Sequence, residues 1–223
     1  TSHDGIRIAM RSGQSMILVS DTTAFGAVET TEKMLMREKQ GTSIDVKDGW
    51  KLSFMEEAPK VDGTFNIGKL QTWETLDNDS AKVTMGTGVY ETSFRIGMSA
   101  KKPTKRNKNV AKTLSGTWAI DLGDVRESAR VYINGQYVGC AWSVPYVLRV
   151  DGSVLHEGDN NIRIEVTNLP ANRIADLDRK NVEWRKFEEI NVVDIKYKKN
   201  KYDTWTPMPS GLNSTVRLYQ LED

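Results

Sequence analysis

Residues 131–139 contain an Asn-Gly dipeptide, Asn134-Gly135, between two segments in which apolar and polar side chains alternate. Both central residues of a type I′ turn need a positive φ angle, so Asn-Gly in this setting is the strongest short-range signal for a β-hairpin. The pattern predicts two antiparallel strands joined by a two-residue turn. It therefore favours a binding or scaffolding module of antiparallel strands over a nucleotide-dependent α/β enzyme.

Alternating patterns recur along the chain and predict further strands. Residues 50–54 alternate apolar and polar side chains, and residues 215–221 predict a last strand that returns to the sheet. Turn residues such as Gly158-Asp159-Asn160 separate the segments. This spacing favours a β-sandwich or jelly roll in which each strand has one wet and one buried face. The predicted buried faces comprise Tyr90, Thr92, Phe94 and Ile96; Trp118, Ile120 and Leu122; and Ile162, Ile164 and Val166.

The predicted fold is all-β, a jelly-roll β-sandwich over residues 46–223 with one or two short helices. Pro170 suits the first turn of a helix, and Ile174 and Leu177 are three residues apart, so residues 170–180 are predicted to be helical. Residues 1–45 are predicted to be the tail of a preceding domain or a small β appendage. The two or three strands that they hold would bury too little apolar surface to be stable alone.

Charge and composition argue against two classes of partner. The 223 residues include 31 Lys and Arg and 30 Asp and Glu, so the net charge of +1 selects neither nucleic acid nor an anionic membrane. The basic run at 101–108 contains no aromatic residue on which a base could stack, which favours a solvated loop. Contact with an anionic polysaccharide or with another domain is the alternative. No apolar run approaches the roughly 18 residues of a membrane span.

The central strands also carry a resemblance to a known domain type. Residues 118–135 (WAIDLGDVRESARVYING), 137–139, Trp142, 145–146 and 158–162 resemble the galactose-binding-like jelly roll of large glycoside hydrolases. Residues 86–94 (GTGVYETSF) are similar to the strand that opens that domain, and residues 167–174 (TNLPANRI) to the segment that follows it. The likeness covers residues 48–221. It is strongest to the C-terminal domain of the family 106 α-L-rhamnosidases, and looser to the sugar-binding domain of family 2.

The resemblance implies that this stretch carries no catalytic residue. In such enzymes the catalytic carboxylates lie on a (β/α)₈ barrel in another domain, and this chain shows no alternating strand–helix pattern of that kind. The implied partner is a catalytic domain of the same polypeptide, and the implied location is periplasmic or secreted. Jelly rolls of this type often hold calcium, for which Asp121, Asp124 and Asp151 are candidates; the alternative is that they are ordinary turn residues. No other cofactor is implied.

Carbohydrate binding is the sharper hypothesis from the residues themselves. A sugar presents apolar C–H faces and hydroxyl groups, so its site needs an exposed aromatic ring and planar polar groups. Two aromatic residues flank Pro145 in a loop after the hairpin, and four polar residues follow a strand end; they could share one edge of the sandwich. The alternative is that the aromatic rings fill the end of the sandwich and that two of the polar residues form an i, i+3 pair. The six candidates are Trp142, Tyr146, Asn172, Arg173, Asp176 and Arg179.

Three hypotheses for function therefore compete. The first is a non-catalytic domain that braces the catalytic domain of a glycoside hydrolase. The second is an autonomous carbohydrate-binding module, and the third is a purely structural or protein-interaction sandwich. Trp184 and Trp205 are predicted to be core residues beneath a long connection, with a role as sugar platforms as the alternative.

Overall fold

The computed structural model describes residues 39–47, 49–97, 113–185 and 200–222, together with residues 10, 13, 15 and 196. Within these ranges the regular secondary structure is mostly β-strand, which confirms the predicted all-β sandwich. The two helices are α1 (Asp79–Val83) and α2 (Ala171–Arg179), and short 3₁₀ turns lie at Trp73–Thr75 and Gly152–Val154. The strands are β1 (Lys39–Val46), β2 (Trp50–Ala58), β3 (Phe65–Ile67), β4 (Met85–Ile96), β5 (Thr117–Asp121), β6 (Val125–Arg126), β7 (Ser128–Ile133), β8 (Gln136–Ala141), β9 (Val147–Asp151), β10 (Gly158–Thr167), β11 (Gly211–Leu212) and β12 (Val216–Glu222).

Two antiparallel sheets form the sandwich. The larger has six strands in the order β3-β2-β4-β10-β7-β8, and the smaller has four in the order β1-β12-β5-β9. A two-stranded ladder, β11-β6, lies beside them. Strand β1 crosses the boundary predicted between residues 45 and 46 and pairs with β12, so residues 39–45 contribute to the four-stranded sheet. The basic run at 101–108 and nearly all of the predicted N-terminal appendage lie outside the described residues.

The predicted hairpin is confirmed. Ile133 pairs with Gln136 across the turn, and Asn134 and Gly135 have φ angles of 50° and 80°. Asn134 also uses its side chain, because its Nδ2 donates to the Val154 carbonyl at 2.8 Å and its Oδ1 accepts from the Asn161 amide at 2.9 Å. The turn is therefore tied to the neighbouring strand, and this fixes the register of β7 against β10.

The core lies between the sheets and uses the alternating faces that the sequence predicts. Leu52, Tyr90, Ile120 and Leu218 are fully buried and come from four different strands of the two sheets. Trp50 packs edge-on against Tyr90 with ring centroids 6.4 Å apart. Burial of these side chains supplies most of the stability of such a fold, at about 1.5–3 kcal/mol for each large apolar side chain.

Trp73 closes the core at one end of the sandwich. Its Nε1 donates to the Tyr90 hydroxyl at 2.7 Å, and the Leu212 amide donates to the same oxygen at 3.0 Å. A Cβ atom on Gly211 would lie 2.4 Å from both Trp73 Nε1 and the Tyr90 hydroxyl, so only glycine fits there. This end of the sandwich is therefore filled by an indole held in one orientation.

Candidate functional site

The two predicted segments of the carbohydrate site leave the sandwich at the same end. The last residue of β10, Thr167, pairs with the first residue of β7, Ser128. The second residue of β7, Ala129, pairs with the last residue of β8, Ala141. Trp142 follows Ala141 directly, and α2 begins four residues after Thr167. Both segments therefore begin at the same end of the six-stranded sheet.

The two aromatic residues of the loop differ in what they offer. Trp142 is 75% exposed, so a ring face is free to contact a ligand or another domain. Tyr146 is half-buried against the core, and burial, with Glu127 nearby, raises the pKa of its hydroxyl. Of these two residues, Trp142 is therefore the one that presents an open aromatic surface at this edge.

Asn172 is a buried tether rather than a free polar group. Its Nδ2 donates to Glu74 Oε1 at 2.9 Å and to the Met208 carbonyl at 2.8 Å, while its Oδ1 accepts from the Met208 amide at 2.8 Å. The three hydrogen bonds of this side-chain amide therefore join α2 to the 3₁₀ turn at Trp73–Thr75 and to the segment before β11. A sugar hydroxyl would have to displace one of these bonds.

Two charged residues of α2, Arg173 and Asp176, pair with each other along the helix. Arg173 Nη1 lies 3.2 Å from Asp176 Oδ2, and Lys180 Nζ lies 2.8 Å from the same oxygen. Asp176 itself is buried. This is the i, i+3 pair that the sequence offered as the alternative to a sugar contact, extended by a second cation.

Arg179 and its neighbour Asp178 hold a cluster of aromatic rings. Arg179 donates to the Asp203 and Trp205 carbonyls at 2.9 and 2.7 Å. The Tyr202 amide and Trp184 Nε1 each donate to Asp178 at 2.7 Å, and the first of these bonds lowers the pKa of that carboxyl.

Tyr202 lies between the two tryptophans of this cluster, with ring centroids 6.4 Å from Trp184 and 4.5 Å from Trp205. Trp184 is half-buried, but Trp205 is 44% exposed and so does not fill the core. The cluster covers the C-terminal part of α2.

The three aspartates considered for calcium do not share one place. Asp121 pairs with Val147 at one end of β5, whereas Asp151 pairs with Thr117 at the other. Asp121 Oδ1 accepts the Gly123 amide at 2.9 Å, and Asp151 Oδ1 accepts the Ser153 amide at 2.8 Å. Asp124 Oδ1 lies 2.7 Å from Arg126 Nε. In the part of the chain that the structure describes, no three His, Cys, Asp or Glu side chains group to hold a metal ion.

Exposed apolar side chains gather around the end of the sandwich that carries Trp142. Met85 opens β4, Leu169 follows β10, and Met208 precedes β11, all at this end. Val144 lies in the same loop as Trp142 and is 50% exposed. We call these five residues the apolar end: Met85, Trp142, Val144, Leu169 and Met208.

A second surface, which the sequence patterns did not single out, is an open groove of about 750 Å³ on the outer face of the six-stranded sheet. The strand registers align five side chains across five strands in what we term the cross-strand row. Alternation in each strand identifies the outward residues, but only the strand order β2-β4-β10-β7-β8 brings them together. The cross-strand row is Lys51, Glu91, Arg163, Tyr132 and Tyr137.

Buried Glu165 holds the side chains of Arg163 and Tyr132 in the middle of the groove. It is 6% exposed, and its Oε1 accepts from Arg163 Nε and Nη2 at 3.1 and 2.7 Å. The Tyr132 hydroxyl donates to its Oε2 at 3.4 Å, and the Arg163 guanidinium lies 5.9 Å from the centre of the Tyr132 ring. One buried carboxylate therefore positions both a cation and an aromatic ring of the groove.

Comparisons with known proteins identify glycoside hydrolase segments. A relative in Formosa agariphila, named as a β-glucuronidase, is 30% identical over 125 residues, which are 56% of this chain and 10% of that protein. Among solved structures, the rhamnosidase of Novosphingobium sp. PP1Y matches 83% of this chain with a TM-score of 0.57 and 24% identity. The β-D-glucuronidase of Dictyoglomus thermophilum matches 84% with a TM-score of 0.51 and 16% identity. No protein-family model matches the chain.

These matches show the fold and the kind of protein in which it occurs. The chain spans only 10% of the curated relative and 16% and 29% of the two solved chains. The structural neighbours are thus β-sandwich segments of much longer glycoside hydrolases. In the described ranges, no helix is long and apolar enough to cross a membrane.

Proposed function

We propose that this chain is a non-catalytic β-sandwich domain of a glycoside hydrolase, which braces the catalytic domain of the same polypeptide through the apolar end. The observation that carries the proposal is the gathering of five exposed apolar side chains at one end of a fold that otherwise occurs as a segment of longer glycoside hydrolases. Exposed apolar patches mark interaction sites in soluble proteins.

The state of the polar groups at that end supports bracing over sugar recognition. Asn172, Asp176 and Arg179 each use their polar atoms on partners within the chain. A sugar site needs free donors and acceptors as well as a ring, whereas a domain interface needs apolar surface at its centre. The second candidate, an autonomous carbohydrate-binding module, is favoured by the open ring of Trp142.

The proposal extends to the parent polypeptide, for which we infer an α-L-rhamnosidase-like hydrolase in the periplasm or outside the cell. The resemblance of residues 48–221 to family 106 and the match to the Novosphingobium rhamnosidase support the substrate class. A β-glucuronidase is the competing activity, supported by the Formosa relative. Hydrolysis of an aryl α-L-rhamnoside and of an aryl β-D-glucuronide by the full polypeptide distinguishes them, and the 223-residue chain alone is expected to release neither product.

The bracing role is tested by making Trp142→Asp and Val144→Asp together, in the 223-residue chain and in the longer polypeptide encoded by the same reading frame. Each exposed position tolerates such a change within about 0.5 kcal/mol, so the two changes together should move the thermal midpoint of the short chain by no more than about 4 °C. In the longer polypeptide the charges would be buried in an interface, and we expect the midpoint to fall by several times that amount.

Tyr137→Asp is the matched control, because Tyr137 is also an exposed aromatic residue but lies beside the hairpin turn at the opposite end of the sandwich. It should have the same small effect in both proteins. Equal shifts for the double variant in the short and the long protein would contradict bracing at the apolar end. A reading frame that encodes this chain alone would also contradict it.

A further inference from the structure

The groove on the outer face of the six-stranded sheet is the feature that bracing at the apolar end leaves unused. Four members of the cross-strand row, Lys51, Glu91, Arg163 and Tyr132, line it, and Tyr137 extends the row onto a fifth strand beside the groove. At the usual spacing of 4.7–4.9 Å between strands, the row is roughly 19 Å long. The groove is open along its length, so it suits an extended ligand lying across the strands. A compact cofactor would instead need an enclosed pocket.

The aromatic end of the row provides a platform. Tyr137 is 54% exposed and packs against Tyr132, with ring centroids 5.4 Å apart and an angle of 58° between the planes. Tyrosine combines an apolar ring face with a hydroxyl group, so it can contact both the C–H surface and the hydroxyl groups of a sugar. Both rings lie on the outer face of the sheet, so they are not part of the core between the two sheets.

The polar part of the row offers fixed donors and acceptors. The side chains of Arg163 and Glu91 are 43% and 54% exposed, and the closest approach of their charged atoms is 4.0 Å. Arg163 is held by the buried Glu165, so it presents its remaining N–H groups without a large loss of side-chain freedom on binding. Ser93 and Asn161 extend the polar floor beside the row, with Ser93 Oγ donating to Asn161 Oδ1 at 2.8 Å.

The charges of the groove indicate the class of ligand. Lys51 and Arg163 are balanced by Glu91 and Glu165, and Glu165 already neutralises Arg163. A site for a uronate or a phosphate would carry an excess of unpaired cations. A balanced set of carboxylate acceptors and guanidinium donors instead matches the hydroxyl groups of an uncharged sugar.

We propose that this groove binds a neutral oligosaccharide that lies across strands β2, β4, β10 and β7, with one sugar ring against the Tyr132–Tyr137 pair and hydroxyl groups on Glu91 and Arg163. The site is separate from Trp142 and the apolar end. Its failure would leave the bracing proposal intact, and failure of the bracing proposal would leave the groove intact.

The test is isothermal titration of the 223-residue chain with cellohexaose, mannohexaose and galactohexaose, with hexagalacturonate as the anionic comparison. At least one neutral hexasaccharide should bind, and Tyr137→Ala should weaken it roughly tenfold, the effect of losing about 1.4 kcal/mol of ring contact. Glu91→Gln should weaken it as well, because it removes a charged acceptor. Both positions are exposed, so neither change should unfold the domain, which circular dichroism verifies.

Trp142→Ala is the matched control, an exposed aromatic residue at the other end of the sandwich, and it should leave the affinity unchanged. Three outcomes overturn the proposal. They are the absence of heat with all three neutral hexasaccharides, binding of hexagalacturonate alone, and binding that Trp142→Ala abolishes while Tyr137→Ala does not. The last outcome would move the sugar site to the apolar end.

Discussion

Tyr90→Phe tests how the end of the core is built. The Tyr90 hydroxyl accepts hydrogen bonds from Trp73 Nε1 and from the Leu212 amide, and the rings of Tyr90 and Trp73 are fully buried. Phenylalanine keeps the ring and removes only the oxygen. Two buried donors then lose their shared acceptor, in a place that water does not reach.

The expected cost follows from those two donors. A buried donor or acceptor left without a partner costs about 1–3 kcal/mol, so the free energy of unfolding should fall by about 2–6 kcal/mol. For a urea dependence of about 3 kcal/mol/M, this range lowers the denaturation midpoint by about 0.7–2 M. Burial also raises the pKa of the Tyr90 hydroxyl, so the group stays neutral and the loss should not vary with pH across the neutral range.

The assay is urea denaturation of the 223-residue chain followed by tryptophan fluorescence. Tyr137→Phe is the control, because it removes the same oxygen from a ring that is 54% exposed, and it should change the free energy by less than about 0.5 kcal/mol. If Tyr90→Phe cost no more than this control, the hydrogen bonds would not be what orients Trp73, and the account of this end of the core would be refuted.

Two further predictions concern a close approach and a carboxylate. Gly211 has a φ angle of +98° and no room for a side chain beside Trp73, so Gly211→Ala should lower the free energy of unfolding, measured by urea denaturation, by about 3 kcal/mol or more. Gly63 has a similar φ angle of +89° but lies in open space, so Gly63→Ala should lower it by only about 1 kcal/mol. Equal losses for the two variants would contradict the packing argument. Asp178 has a pKa below the ordinary 3.8, so its ionised carboxylate stabilises the fold fully at pH values above 3.8. This stabilisation is lost as the pH falls through the lowered pKa. An acid titration of Trp184 fluorescence should therefore show a midpoint below 3.8 that Asp178→Asn abolishes, and a midpoint at or above 3.8 would contradict the lowered pKa.

The sequence was most informative where the structure is local. The hairpin at Asn134-Gly135 and the helix after Pro170 both depend on residues within a few positions of one another, and both are present. Strand β1 was not predicted, because it is an edge strand and its first residues, 39–42, are polar or small without a clear alternation. Its place is set by pairing with β12, some 180 residues away, which no local pattern encodes.

The candidate site shows the same limit. Asn172 matches the residue type that a sugar site needs, but its partners Glu74 and Met208 are 98 and 36 residues distant, so the sequence does not reveal that its amide is already used. Conversely, the outward positions of Glu91 and Arg163 follow from alternation, whereas their alignment with Tyr132 requires the strand order. Chemistry-bearing residues are thus recognisable locally, but their assembly into a surface is not.

The pairing of Lys39 with Glu222 has a consequence for how such a domain is used in evolution and engineering. Among the described residues, the first and last strands are neighbours, so residues 39 and 222 lie side by side in the four-stranded sheet. A domain whose ends lie close together can be inserted into a surface loop of a host protein without separating the two sheets of the inserted domain. By the same geometry, a circular permutant of residues 39–222 that is opened at the Asn134-Gly135 turn, with residues 39 and 222 joined by a short linker, can keep every strand pairing of the described residues.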